Sequence, residues 1–207
     1  MSVRRKAMAV LLAIAVCESV WVWFAFRGGF ARAAHWLGWD SIGSISPMAW
    51  LLAVGTTAAY CMYSRQLFSV RETMFRLDWL KLAAIYLAVV SALCEEGVFR
   101  KLLMRAFALQ GHALAFQIVA SAVLFGLAHA IWGLLRGSWR AALGATVATS
   151  ILGALLAIMY LLARRNLFVC EVSHGVINLL IEPGLILAAL RGELGRRRTH
   201  ERKAALV

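Results

Sequence analysis

Two adjacent glutamates close a long apolar run in the stretch SALCEEGVFRKLL, residues 91–103, and Arg100 follows them. Neighbouring positions on a helix differ by about 100°, so Glu95 and Glu96 cannot share a face. Glu96 and Arg100 are four apart and do share one, with the acid N-terminal to the base, which is the favourable order. Glu96 is therefore expected to be held by Arg100, and Glu95 is left over. An unpaired carboxylate near a membrane interior is a functional-site hypothesis by default, and its chemistry would be that of a general base or acid. The bland alternative is that both glutamates reach a headgroup at the end of the span.

Two further stretches carry groups of the same kind. In LFGLAHA, residues 124–130, Phe125 and His129 are four apart and face the same way. A lone histidine in an apolar helix is more often a hydrogen-bonded core residue than a catalyst, so His129 gains weight only in company. In CEVSHGVINLL, residues 170–180, His174 and Asn178 are again four apart and stack an imidazole on a carboxamide. Two stacked donors suit an oxyanion forming on a peptide carbonyl; they would equally suit a polar clamp between helices. Together the three stretches supply a leftover carboxylate, two histidines, a carboxamide and an arginine to steady the second carboxylate. That set suffices for water-mediated hydrolysis of an amide without a nucleophilic side chain.

Other chemistries fit less well. Glutamate and histidine can ligate zinc, but no H-E-x-x-H is present and a carboxamide is a poor zinc ligand, so no metal and no cofactor are expected. Cys170 and His174 are four apart and Cys94 adjoins Glu95, yet apolar surroundings leave a thiol inert. A proton-coupled transporter would show a pair of broken helices, and none stands out. A non-catalytic scaffold or immunity protein would have to carry an idle intramembrane carboxylate, which is costly.

These groups need elements to position them. Of the 207 residues 62% are apolar, against about 45–50% in a soluble domain, and the mean hydropathy is +0.77. The apolar residues come in blocks of membrane-spanning length, so helices must do the spanning. The pattern predicts an all-α polytopic transmembrane helix bundle. Its six spans are near 7–26, 47–63, 80–98 (continuing as helix to about 108), 112–130, 141–163 and 167–190. Pro47 after SIGSIS is a good helix start. Residues 64–79 are polar and basic, with Leu67, Val70, Met74 and Phe75 at helical spacing, and are expected to form one interfacial amphipathic helix. The fifth span has no charge and carries Gly144, Ala145, Ala148, Thr149 and Gly153, which suits close packing. The polar residues that could do chemistry fall in three of the six spans.

The organisation expected is an N-terminal part, 1–79, a core of four spans, 80–190, and a basic tail, 191–207. The run from Ala7 to Phe26 is too long and aromatic for a cleaved signal segment, so it is read as a retained span. Four cysteines, Cys17, Cys61, Cys94 and Cys170, show neither metal nor disulfide spacing. The net charge of +12 collects at the ends of apolar runs, which points to topology and anionic headgroups rather than nucleic acid. With the N-terminus inside, 15 of the 22 basic residues fall in inside segments, so both termini are expected in the cytoplasm. Arg100, Lys101 and Arg105 run against that count.

The three motifs in this order, EEGVFR at 95–100, FGLAH at 125–129 and HGVIN at 174–178, resemble the CPBP family, the CAAX protease and bacteriocin-processing group also called Abi. The resemblance covers about residues 80–190. It implies a glutamate-type intramembrane endopeptidase like the type II CAAX prenyl endopeptidase. Carried onto this chain, it makes Glu95 the base that activates water, helped by His129, and gives His174 and Asn178 the oxyanion. Glu96, Arg100 and Phe125 are supporting. It implies a membrane-associated or lipid-anchored protein or peptide as substrate; the location expected for the chain is a bacterial inner or plasma membrane. It does not name the substrate.

Overall fold

The computed structural model describes residues 2–134 and 138–194, and every regular element among them is helical. The basic tail, 191–207, therefore lies largely outside the described residues, as does Arg136. Helix α1 is Val3–Phe26, and a short α2, Phe30–Leu37, leads into a tight turn at Trp39–Ser44. Helix α3, Pro47–Ser64, starts where the sequence predicts: Pro47 is in its first turn and the Ser46 side chain accepts from the amide of Ala49. A six-residue helix, α4, Phe68–Thr73, follows.

Helix α5, Trp79–Glu96, is capped by Asp78, whose carboxylate accepts from the amide of Lys81. It continues without a break through a wider π-helical turn, Gly97–Leu103, into α6, Met104–Leu109. Helices α7, Leu114–Ala128, and α8, Ile131–Leu134, come next. Helix α9, Trp139–Leu162, is capped by Ser138, and α10, Phe168–Arg191, is the last helix among the described residues.

Helix α10 is the hub. It packs against α1, α3, α4, α5 and α9, while α7 lies along α9. Glycines set the closest of these approaches. A β-carbon at Gly126 of α7 would stand 2.0 Å from Ser150 Oγ and 2.5 Å from the Thr146 carbonyl of α9. The small residues of α9 serve two purposes. A β-carbon at Gly153 would meet Ala122 and Phe125 of α7, whereas one at Gly144 would meet nothing within 4 Å, and Gly144 lines a cavity with Ala145, Ala148 and Thr149.

Among the described residues four helices are long and apolar enough to cross a membrane: Val3–Phe26, Trp79–Leu109, Trp139–Leu162 and Phe168–Arg191. A fifth crossing arises if Phe30–Ser44 and Pro47–Ser64, bent by 109°, form one broken span. Helix α7 has 15 residues, fewer than the roughly 20 a crossing needs. The protein is thus an integral membrane helix bundle with four or five candidate spans, where the sequence predicts six. The amphipathic helix expected over 64–79 is reduced to α4. Its Val70, with Met74 just beyond it, is buried, and only Phe75 of the expected apolar face points outward. Val70 sits directly on Gly184 of α10, where a β-carbon would come within 2.4 Å of the Val70 Cα.

Candidate active site

Glu95 and Glu96 are the last two residues of α5, immediately before the π-helical turn. Such turns widen the helix and often occur at functional sites. The freed Phe99 carbonyl accepts from Ser121 Oγ of α7 at 3.1 Å, which ties the widened turn to its neighbour. As the helical rotation requires, the two carboxylates part company. Glu96 is wholly buried. Glu95 faces a cavity of about 750 Å³, a size common for ligand pockets.

Glu96 has two partners. Its Oε2 lies 3.0 Å from Arg100 Nε, with neither side chain exposed, so the i,i+4 ion pair expected from the sequence is formed. Its Oε1 accepts from His174 Nδ1 at 2.8 Å. The guanidinium of Arg100 lies over the Phe125 ring, 4.7 Å from its centroid, and neither Nη1 nor Nη2 has a hydrogen-bond partner among the described residues. Phe125 also meets Phe99 edge-on and contacts both histidine rings, at 4.5 Å for His129 and 5.6 Å for His174. It is the buried aromatic around which the motifs assemble.

The histidines are oriented from behind. His129 is the C-terminal cap of α7, and its Nδ1 donates to the Phe125 carbonyl at 2.8 Å. His174 Nδ1 is held by Glu96. Both Nε2 atoms therefore turn toward Glu95, whose Oε2 lies 3.6 Å from His129 and 3.9 Å from His174. That oxygen is buried and makes no hydrogen bond within the described protein. The other oxygen, Oε1, accepts from Ser91 Oγ at 2.7 Å. Asn178 Nδ2 reaches the same hydroxyl at 3.4 Å and lines the cavity beside His174. All seven residues singled out by the three motifs thus meet in one place.

Sequence reasoning missed three polar residues here. Ser91 sits one helical turn before Glu95 and is 1% exposed. Glu18 of α1 comes within 3.3 Å of Ser91 Oγ, so the first span also brings a polar group to this place, contrary to the expectation of three polar spans. Its signal was a lone acid in the middle of an apolar run. Glu182 of α10 lines the cavity with its buried Oε2 unpartnered among the described residues. Glu171, by contrast, does not line the cavity, and its Oε2 accepts from Trp39 Nε1 at 2.7 Å.

The thiol and metal alternatives find little geometric support. Neither Cys94 nor Cys170 lines the cavity, and the Cys170 thiol is directed at the Leu156 carbonyl, 3.4 Å away. Among the described residues no trio of histidine, cysteine, aspartate or glutamate is grouped to hold a metal ion.

Residues 77–180, a little over half of the chain, match the family model described as type II CAAX prenyl endopeptidase Rce1-like. The chain belongs to that family. The matched segment contains all three motifs and bears out the resemblance drawn from them. Neither curated proteins nor solved structures provide a match. At the level of the family, this Rce1-like protein is a CAAX-type intramembrane protease. Helices α1 to α4, including Glu18, lie outside the matched residues.

Proposed function

We propose that this Rce1-like protein is an intramembrane endopeptidase that cleaves a peptide bond in a membrane-associated or lipid-anchored protein or peptide, using water activated by Glu95. One observation carries the reading. The buried Glu95 Oε2, free of protein hydrogen bonds, is confronted by the Nε2 atoms of His129 and His174 at 3.6 and 3.9 Å. Those separations exceed a direct hydrogen bond and suit a water held among the three groups.

In this mechanism Glu95 takes a proton from the water as its oxygen attacks the scissile carbonyl, and His129 orients that water. Glu95 then returns the proton to the departing amine. The developing oxyanion receives Asn178 Nδ2 and, when His174 carries two protons, its Nε2–H. Glu96 supports that imidazolium from behind, and Arg100 and Phe125 fix Glu96. The cavity extends from this centre between α1, α3, α9 and α10, which suits a substrate entering from the bilayer. The basic residues favour both termini on the cytoplasmic side of a bacterial inner or plasma membrane. Of the three that opposed this, Arg100 lies in the protein interior.

The test is a comparison of membrane proteomes from cells producing wild type, Glu95→Ala or His129→Ala at equal levels, with new peptide termini mapped. Termini found only with wild type are expected and would name the substrates. Identical termini in all three, with the variants rescuing a deletion phenotype, would overturn the reading in favour of a non-catalytic role. Loss of cleavage on chelation, restored by zinc, would favour a metal-dependent protease.

A further inference from the structure

Glu18 belongs to none of the three motifs and lies outside the matched residues, yet it enters the Glu95 cavity from α1. Ser91 stands between the two acids. Its Oγ is 2.7 Å from Glu95 Oε1, 3.3 Å from Glu18 Oε1 and 3.4 Å from Asn178 Nδ2. At 1% exposure this hydroxyl has no access to bulk water.

A hydroxyl has one hydrogen and two lone pairs, and the Asn178 amide nitrogen can only donate. The single hydrogen of Ser91 can therefore serve one acid, and its oxygen must accept from the others. The shorter contact, to Glu95, matches a hydroxyl donating to a charged carboxylate; the longer, to Glu18, does not. With the hydrogen on the Glu95 side, Ser91 presents a lone pair to Glu18. A carboxylate there would set oxygen against oxygen, whereas a neutral carboxylic acid would donate. The second Glu18 oxygen, Oε2, is buried without a hydrogen-bond partner in the described protein, a state far less costly for a neutral acid than for a carboxylate.

We propose that Glu18 is a positioning residue: as a neutral carboxylic acid it donates to Ser91, and through Ser91 it holds Glu95 as an oriented carboxylate with Oε2 turned to the two histidines. This rests on the reading of Glu95 as the base. It makes the first helix, which carries none of the three motifs, a working part of the centre. It also separates the roles of the buried acids: Glu95 acts on water, Glu96 on His174, and Glu18 on Glu95.

Two measurements on the full chain in detergent test it. The first needs no substrate. The infrared difference between wild type and Glu18→Gln should contain the carbonyl stretch of a neutral carboxylic acid; the paired stretches of a carboxylate would overturn the proposal. The second uses a farnesylated CAAX peptide carrying a fluorophore and quencher. Glutamine keeps a donor of the same shape, so Glu18→Gln should retain kcat to within about threefold. Glu18→Ala and Ser91→Ala should each lose about 10–100-fold in kcat with KM little changed. Glu18→Ala at wild-type rate, or Glu18→Gln as impaired as Glu18→Ala, would overturn it. Unchanged thermal unfolding of Glu18→Ala separates positioning from folding. Failure of the base reading looks different: Glu95→Gln would then cleave like wild type, whatever Glu18 does.

Discussion

Glu95 and Glu96 are chemically identical neighbours, and their surroundings alone divide their work. Glu96 is enclosed by Arg100 and His174 with no exposure at all. Removing one partner of such a pair leaves the other charge buried and alone, at about 3–5 kcal/mol. Glu96→Ala should therefore lower thermal stability in detergent strongly, because Arg100 is left over the Phe125 ring without an anion. Replacing the pair together, Glu96→Leu with Arg100→Met, should recover much of that loss, since buried pairs are often replaceable by apolar residues of similar size. If Glu96→Ala unfolds at the wild-type temperature, the ion pair is not what holds this corner. Glu95→Gln should leave stability nearly unchanged, since Oε2 has no hydrogen bond to lose. The motifs were legible because each places its groups four apart on one helix, a relation that survives folding unchanged. Glu18 and Ser91 were not, because their link to Glu95 is a contact between helices, and a serine in a span attracts no notice alone.

The long helices follow from apolar runs and their caps, and their ends come close to the expected ones. The π-helical turn, the six-residue α4 and the bend before Pro47 depend on tertiary contacts and leave no periodic trace. One such contact explains a buried lysine. Pro183 lies inside α10 and has no amide hydrogen to give to the carbonyl four residues back, that of Leu179. Lys81 Nζ of α5 donates to that carbonyl at 2.7 Å. The lysine substitutes for the missing backbone bond and ties α5 to the helix that carries His174. Lys81→Met should cost about 1–3 kcal/mol, the usual penalty for an orphaned buried acceptor. In a Pro183→Ala background the helix regains its own donor, and the same lysine substitution should cost less than half as much. The comparison is a double-mutant cycle read by unfolding in detergent; equal costs in the two backgrounds would reject the substitution of one bond for another.

Across the whole molecule, the start of α1 and the end of α10 are gathered at one site beside α4. Glu72 accepts from Arg191 of α10 at 2.7 Å and from Arg4 of α1 at 3.2 Å. Arg4 also reaches Asp78 at 2.9 Å, and Glu193 accepts from the Ser69 hydroxyl and amide. Helices with no direct sequence connection, α1 and α10, are thus clamped across a short polar helix at the end of the cavity that Glu193 lines. The hydrogen bond from Arg191, with the charges of Arg191 and Arg4, holds the Glu72 carboxyl below its ordinary value. A folded-state value below the unfolded one means stabilisation that is fully present above the unfolded carboxylate range, about pH 4.3. It is lost as pH falls through the lowered folded value. Glu72 is a quarter exposed, so solvent screening limits the contribution to about 1 kcal/mol or less. Wild type should therefore unfold at a higher temperature than Glu72→Gln at neutral pH. The gap should close as the pH is lowered past the carboxylate range and shrink in high salt. A gap that stays constant on acidification would mean that Glu72 holds α4 by shape alone and that its charge does not clamp α1 to α10.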